Sequence, residues 1–149
     1  MFGKPVKRLR TGRYQLHLSA EERDVLRSLP GELKELIGNG TDDANLRRLF
    51  PPAYPDDPAL DAEYQRLVHD DLVAGRTAAL DVMAKTVDAT ELDEAELSGW
   101  LSAINDLRLV LGTQLDVSED DPGGDTALDR LYHYLGYLEE MVVEALAGW

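Results

Sequence analysis

Residues 93–115, DEAELSGWLSAINDLRLVLGTQL, contain the pattern that decides the fold. Apolar side chains recur there every three or four residues, which is the spacing of one face of an α-helix. This apolar face consists of Leu97, Trp100, Leu101, Ile104, Leu107, Leu111 and Leu115. The pattern predicts a long amphipathic helix that starts near Asp93 and buries this face in a core.

Residues 19–50 predict two further helices. Residues 19–22, Ser-Ala-Glu-Glu, form a capping box that opens the first helix, and residues 38–40, Gly-Asn-Gly, end it. Pro30 either kinks this helix or divides it in two. A short helix follows after Asp42 or Asp43.

Residues 51–58, PPAYPDDP, predict a stiff connector rather than a flexible linker. Asp57 is placed to cap the next long helix, with Pro58 in its first turn, and this helix extends towards Val87. We expect one face of it to be buried, formed by Leu60, Tyr64, Leu67, Val68, Gly75, Ala78, Val82 and Met83.

The two ends of the chain differ in character. Residues 4–18 predict a β-hairpin that turns at Thr11–Gly12, because apolar and polar side chains alternate over residues 13–18. The last helix repeats apolar residues from Leu128 to Leu146, after an acidic loop at 116–125 that ends in a cap at Asp125. The fold class is mainly α: one domain over residues 1–149, with a basic hairpin at 1–18 and a helix bundle at 19–149.

Composition limits the possible functions. The 149 residues carry a formal charge of −14 and contain no cysteine. Disulfides, thiolate zinc sites and cysteine nucleophiles are therefore excluded. The first 18 residues contain five bases and no acid, which leaves the other 131 residues with 29 acids, 10 bases and a net charge of −19. We expect a cytoplasmic protein with no membrane-spanning segment.

Polar residues interrupt the apolar faces at four positions. Arg108 and Glu139 fall within the apolar faces of their helices, Asp71 lies four residues after Leu67, and Asn105 precedes Arg108 by three. Because an unpaired buried charge costs several kcal/mol, these four residues predict a buried polar network in which Asp71, Glu139 or both pair with Arg108. The alternative is a pocket for a small anion with Arg108 at its base.

No motif predicts catalysis, a metal site or a cofactor. The three histidines, His17, His69 and His133, lie on different predicted elements, and no second histidine follows His69 at helical spacing. The acidic loop has Asp121 where a calcium loop requires glycine. We therefore expect a non-enzyme with no catalytic residues, no metal and no cofactor.

Contact with another macromolecule is the remaining class of function. The predicted partner-binding residues are Lys7, Arg8, Arg10 and Arg13 in the hairpin and Tyr54 in the connector. A protein partner is favoured, and a homodimer that includes Trp149 is an alternative. DNA binding by the hairpin would be weak beside so much negative charge, and the hairpin is equally suited to contact its own acidic domain.

Several segments together resemble the actinobacterial AosR-like family, long catalogued as a domain of unknown function. The most specific is NDLRLVLGT at residues 105–113. The others are LSAEE at 18–22, LRSL at 26–29, AYPDDP at 53–58, DDL at 70–72 and YLGYLE at 134–139. The resemblance extends over nearly the whole chain.

The resemblance implies a regulator of oxidative-stress responses that acts on the transcription machinery through protein contact, with a sigma factor or RNA polymerase as its partner. One departure matters. A member that senses oxidants through a thiol pair needs cysteines, and this chain has none. This chain therefore cannot sense oxidants by forming a disulfide, and its methionines are poor substitutes for cysteines as oxidant sensors.

Overall fold

The computed structural model describes residues 3–117 and 126–148, which form a mainly α fold with a small sheet. In chain order the elements are β1 (Val6–Arg8), β2 (Tyr14–Leu16), α1 (Ala20–Gly38), a 3₁₀ turn (Ala44–Leu46), α2 (Pro58–Thr86), β3 (Glu91–Leu92), α3 (Glu94–Val117) and α4 (Ala127–Ala147). The predicted fold class is confirmed. Most of the acidic loop and Trp149 lie outside the described residues.

Helix α3 is the centre of the bundle. It packs against α1, α2, α4 and the 3₁₀ turn, and its Leu97, Trp100 and Ile104 are fully buried. The indole Nε1 of Trp100 donates a hydrogen bond to Thr86 Oγ1 at 2.6 Å, which ties α3 to the end of α2. A helix that is surrounded in this way buries more than the single face marked by its leucines.

The helix boundaries follow the predicted capping chemistry with one exception. Ser19 and Glu22 form the capping box of α1, and Asp57 caps α2 with Pro58 in its first turn, so both predictions are confirmed. Helix α1 is continuous through Pro30, which excludes a division there. The N-cap of α4 is Thr126, whose hydroxyl accepts from the Asp129 amide, rather than Asp125, which is outside the described residues.

The predicted hairpin is confirmed, with Tyr14 and Leu16 buried and Gly12 at a φ of 86° in its turn. It is also part of a larger sheet, because β3 pairs antiparallel with β2. No pattern in the sequence predicts β3, which is only two residues long. The three strands occur in the order β1-β2-β3.

Arg23 fixes this sheet to the helices. Its guanidinium donates to the carbonyl oxygens of Val87 at 2.6 Å, Ala89 at 2.9 Å and Leu16 at 3.4 Å. These carbonyls belong to the segment after α2 and to the last residue of β2. One side chain of α1 therefore joins the hairpin to the end of α2.

The predicted buried face of α2 is wrong over most of the helix and correct only at its end, at Val82 and Met83. Leu80 and Met83 are fully buried, but Leu60, Tyr64 and Leu67 are exposed. The 13 residues from Leu67 to Leu80 make about three and a half turns, so the two sets lie on opposite sides of the helix. The apolar spacing is helical in both halves, and only the second set faces the core.

Of the helices in the described ranges, none combines the length and the apolar character that crossing a bilayer requires.

Candidate partner-binding surfaces

The structure pairs two of the four predicted network residues. Arg108 Nη1 donates to Glu139 Oε1 at 2.9 Å, which joins α3 to α4. The Arg108 guanidinium lies 4.8 Å from the ring centroid of Tyr132, and a Cβ at Gly136 would come within 3.2 Å of its Nη2. Gly136 thus gives Arg108 room between the helices, and the geometry is that of an internal bridge rather than of an open anion pocket.

Asp71 and Asn105 do not join this pair, because both are exposed. Asp71 continues the side of α2 that carries Leu67, which points away from the bundle. Asn105 is exposed although Ile104 and Asp106 on either side of it are buried. Their spacing from apolar residues was helical, but it did not indicate which side faces the core.

A second buried ion pair was not predicted. Arg76 on α2 donates to Asp106 on α3 at 2.5 Å, with 24% and 4% of the two side chains exposed. Burial raises the pKa of Asp106, although the hydrogen bond and the charge of Arg76 act against that rise. Asp106 lies three residues after Ala103 and four before Val110, and both of these apolar residues are buried. Their helical spacing from Asp106 is the feature of the sequence from which this second buried side of α3 could have been predicted.

A polar contact between α1 and α4 was also missed. The Tyr134 hydroxyl donates to Glu22 Oε2 at 2.7 Å. Burial and the neighbouring carboxylate raise the pKa of Tyr134. Burial opposes the charge on Glu22, but hydrogen bonds from the Ser19 amide and from Tyr134 outweigh it and lower the pKa of Glu22. The capping box is thus also a contact between helices.

The basic hairpin lies beside the end of α4. Lys4 pairs with Glu144 at 3.5 Å and Arg13 with Glu91 at 3.2 Å. The other predicted cations, Lys7, Arg8 and Arg10, are exposed and form no ion pair with an acid in the described part of the chain. Two of the five hairpin cations therefore pair with acids of their own domain, and the other three are exposed.

Arg8 also lies near the end of a helix. Its Nη1 would be 3.1 Å from a Cβ at Gly148, the C-cap of α4, and the last turn of α4 contains no basic residue. Helix C-termini carry partial negative charge, so a nearby cation stabilises this one. The hairpin supplies the positive charge that α4 lacks.

Tyr54 is held beside the first half of α2. Asp61 Oδ1 accepts from the amides of Ala53 at 2.7 Å and Tyr54 at 3.0 Å. The ring of Tyr54 then meets the ring of Tyr64 edge to face, with centroids 5.9 Å apart. The connector is thus folded back onto α2, and Tyr54 extends the apolar side of that helix.

We call this surface the α2 outer face. Its side chains are Tyr54, Leu60, Tyr64 and Leu67, which are 40%, 42%, 41% and 76% exposed. Five of the nine large exposed apolar side chains in the described residues lie between residues 54 and 72, these four and Leu72. Such clustering is typical of an interaction surface, whereas isolated exposed leucines are normal.

The predicted partner-binding residues therefore do not form one surface. Tyr54 lies at the start of α2, and the hairpin lies beyond its end, where the Leu16 amide donates a hydrogen bond to Thr90 O at 2.8 Å. The 29 residues of α2 are about 43 Å long at 1.5 Å per residue. A small partner would contact one of the two surfaces at a time.

Within the described part of the chain, His69 is not one of a group of residues that could hold a metal ion. Its Nε2 lies 3.3 Å from Thr41 Oγ1, and its ring centroid is 5.7 Å from that of Phe50. The described residues contain no group of three histidine, aspartate or glutamate side chains arranged to hold a metal ion. His69 instead helps to pack the segment before the connector against α2.

These features define a helical domain with charged pairs inside and two distinct exposed surfaces. The chain belongs to the family described as "Domain of unknown function (DUF2017)", whose model matches residues 4–146. The resemblance to the AosR-like family is confirmed by relatives that carry that name.

Two relatives show the extent of the similarity. The AosR protein of Mycobacterium leprae (strain TN) is 36% identical over 128 residues, which cover 70% of this chain and 59% of that protein. The protein named "Oxidative stress regulator AosR" from Mycobacterium tuberculosis (strain ATCC 25618 / H37Rv) is 32% identical over 146 residues, which cover 78% of this chain and 67% of that protein. The chain thus matches about three fifths to two thirds of the length of these relatives. No solved structure is significantly similar to it.

Proposed function

We propose that this chain is a non-enzymatic regulator of the oxidative-stress response that acts by binding a protein of the transcription machinery. The observation that carries the proposal is its 32% identity, over 78% of its length, to a protein named as an oxidative stress regulator. The partner class that we propose is a sigma factor. The net charge of −14 supports a partner with a basic surface, because complementary charge speeds association.

The absence of cysteine determines how such a regulator would respond to oxidants. Since this chain has no thiol, a redox signal must reach it through its partner or through a change in its own abundance. Binding of the chain to its partner therefore does not require any disulfide on this side of the interface.

The proposal is tested with the purified chain and a panel of purified sigma factors and core RNA polymerase. We expect one sigma factor to bind. The sigma factor is used in a cysteine-free or alkylated form, so that only this chain could respond to the redox conditions. Its affinity for the chain should then be the same in dithiothreitol as in peroxide. In parallel, transcripts are measured after peroxide challenge in cells with and without the gene. A panel with no binder, together with unchanged transcripts, would reject the proposal.

A second candidate function is DNA contact by the hairpin, favoured by the exposed Lys7, Arg8 and Arg10, which form no ion pair with the described acids. Its test is a mobility-shift titration across salt concentration. When the logarithm of the binding constant is plotted against the logarithm of the salt concentration, three cations predict a slope of magnitude no more than about 3. Each phosphate contact contributes about 0.9 to this slope. Alanine at all three positions should abolish the shift, whereas alanine at Lys4 and Arg13 should change it little.

A further inference from the structure

The α2 outer face has the arrangement of a surface that receives a helix. Leu60, Tyr64 and Leu67 follow one another at intervals of four and three residues, so they form a straight stripe on one side of α2. This stripe lies opposite Leu80 and Met83, which face the core. The described residues therefore leave the stripe partly exposed, and Leu67 most of all.

The stripe is ordered before any partner arrives. Asp61 holds the backbone of Ala53 and Tyr54, and the edge-to-face contact fixes Tyr54 against Tyr64. Ordered aromatic side chains lose little conformational entropy on binding, and tyrosine is enriched among the residues that dominate binding energy. The α2 outer face thus has two aromatic anchors in fixed positions.

The charge around the stripe indicates the chemistry of its occupant. Residues 54–72 contain one base, Arg66, and six acids, which are Asp56, Asp57, Asp61, Glu63, Asp70 and Asp71. A second copy of this face would bring six more acids against them, and like charges oppose such a contact. An anionic membrane surface is opposed for the same reason. The occupant must therefore carry positive charge beside its apolar residues.

We propose that the α2 outer face binds an amphipathic helix of a partner protein, with apolar residues along one side and lysine or arginine on both flanks. The apolar side covers Tyr54, Leu60, Tyr64 and Leu67, and the flanking cations meet the acids beside them. This is the helix-in-groove mode of recognition, with anchors spaced as on one side of a helix. The inference rests on the proposed function in that it assumes that the chain acts through a protein contact.

The test uses a synthetic peptide of about three heptads with leucine at positions a and d and lysine at e and g, and a second peptide with glutamate at e and g. Binding to the full chain is measured by isothermal titration calorimetry. We expect the lysine peptide to bind and the glutamate peptide not to bind. Amide resonances that shift on addition of the lysine peptide should lie within residues 54–72.

Matched substitutions separate this face from general attraction to an acidic protein. Leu67→Ala and Leu128→Ala are the same change at two exposed leucines and leave the net charge unaltered. We expect Leu67→Ala to weaken binding of the lysine peptide about tenfold, which corresponds to about 1.4 kcal/mol, and Leu128→Ala to change it less than about twofold. Because Leu67 is 76% exposed, Leu67→Ala should unfold at the urea concentration of the parent chain, so weaker peptide binding by this variant does not come from lost folding.

Equal weakening by the two substitutions, or resonance shifts spread over the whole chain, would overturn the proposal. So would a homodimer in analytical ultracentrifugation that Leu67→Ala dissociates, because a second copy would then be the occupant. The two proposals fail separately. Sigma-factor binding that is insensitive to Leu67→Ala rejects this face alone, whereas peptide binding without any sigma-factor partner rejects the proposed function alone.

Discussion

The two halves of α2 have similar apolar spacing and opposite environments. In the second half Leu80 and Met83 are fully buried, and Val82 lies so close to α3 that a Cβ at Gly99 would be 3.0 Å from it. In the first half Leu60 and Leu67 face solvent. The difference arises because the apolar stripe shifts by about half a turn between the halves while the bundle covers one side only.

This comparison shows that helical spacing of apolar residues identifies a helix without identifying which side is buried. A stripe that changes sides within one helix indicates two different contacts: one made within the chain and one available to another molecule. We expect the two halves of α2 to differ in solution as they do in the structure.

The largest expected effect is that of Leu80→Ala. Removal of a fully buried leucine side chain should lower the free energy of unfolding by about 2–5 kcal/mol. This cost is the sum of the lost free energy of burying the apolar atoms and the cost of the cavity that they leave. The same substitution at Leu67 should change it by less than about 0.5 kcal/mol. Urea unfolding followed by circular dichroism compares the two. Similar costs at both positions would mean that the first half is packed in solution.

Arg76→Ala should have the next largest effect, roughly 2 kcal/mol at neutral pH, since it leaves Asp106 buried without its partner. The cost should shrink as the pH falls. Without Arg76 the raised pKa of Asp106 rises further, so protonation of Asp106 stabilises the variant more than the parent chain.

The raised pKa also fixes the direction of the pH dependence. The stabilising contribution of Asp106 protonation is complete below the pKa of the unfolded chain and is lost as the pH rises through the folded value. Unfolding curves at a series of pH values from acid to neutral measure the difference in the free energy of unfolding between the variant and the parent chain. A difference that stays constant or grows towards acid pH would contradict this account of the pair.

Thr86→Val should cost about 1–2 kcal/mol, because the buried Trp100 indole loses its acceptor while the side-chain volume is kept. Thr77→Val is the matched control. Its hydroxyl bonds only to carbonyls of its own helix, Val73 and Ala74, so its loss should cost less. Differential scanning calorimetry of the two variants gives the comparison, and a larger cost at Thr77 would be inconsistent with the role assigned to Thr86.

Gly75→Ala should have the smallest effect and the opposite sign. A Cβ at Gly75 meets no atom within 4 Å, so alanine should stabilise α2 by about 0.5–1 kcal/mol through its higher helix propensity. Gly99→Ala is the control on α3, where the Cβ would contact Val82 at 3.0 Å and the same gain should be lost. Thermal midpoints that move in the same direction for both variants would count against the difference in packing.

Local chemistry in the sequence predicted the helix starts and the hairpin. Ser19, Asp57 and Pro58 act at the predicted ends of their helices because capping depends on residues close together in the chain. The turn at Gly12 is predictable for the same reason. By contrast, β3 exists only because β2 lies beside residues 91–92, and no local pattern records that neighbour.

The candidate site was predictable only in part. The position of Arg108 within an apolar face pointed to an internal partner, and the structure places Glu139 there. The pair of Arg76 and Asp106 was missed because α3 is buried on two sides and its leucines mark one of them. The α2 outer face was missed as a surface because its stripe has the spacing expected of a core.

The pairing of β2 with β3 has a consequence for synthesis of the chain. A ribosome that adds about 5–20 residues per second needs roughly 4 to 15 seconds to proceed from Leu16 to Glu91. Until then Tyr14 has β1 on one side but lacks β3 on the other, and Arg23 has no Val87 carbonyl to bind. The earliest part of the nascent chain is therefore among the last to reach its native contacts.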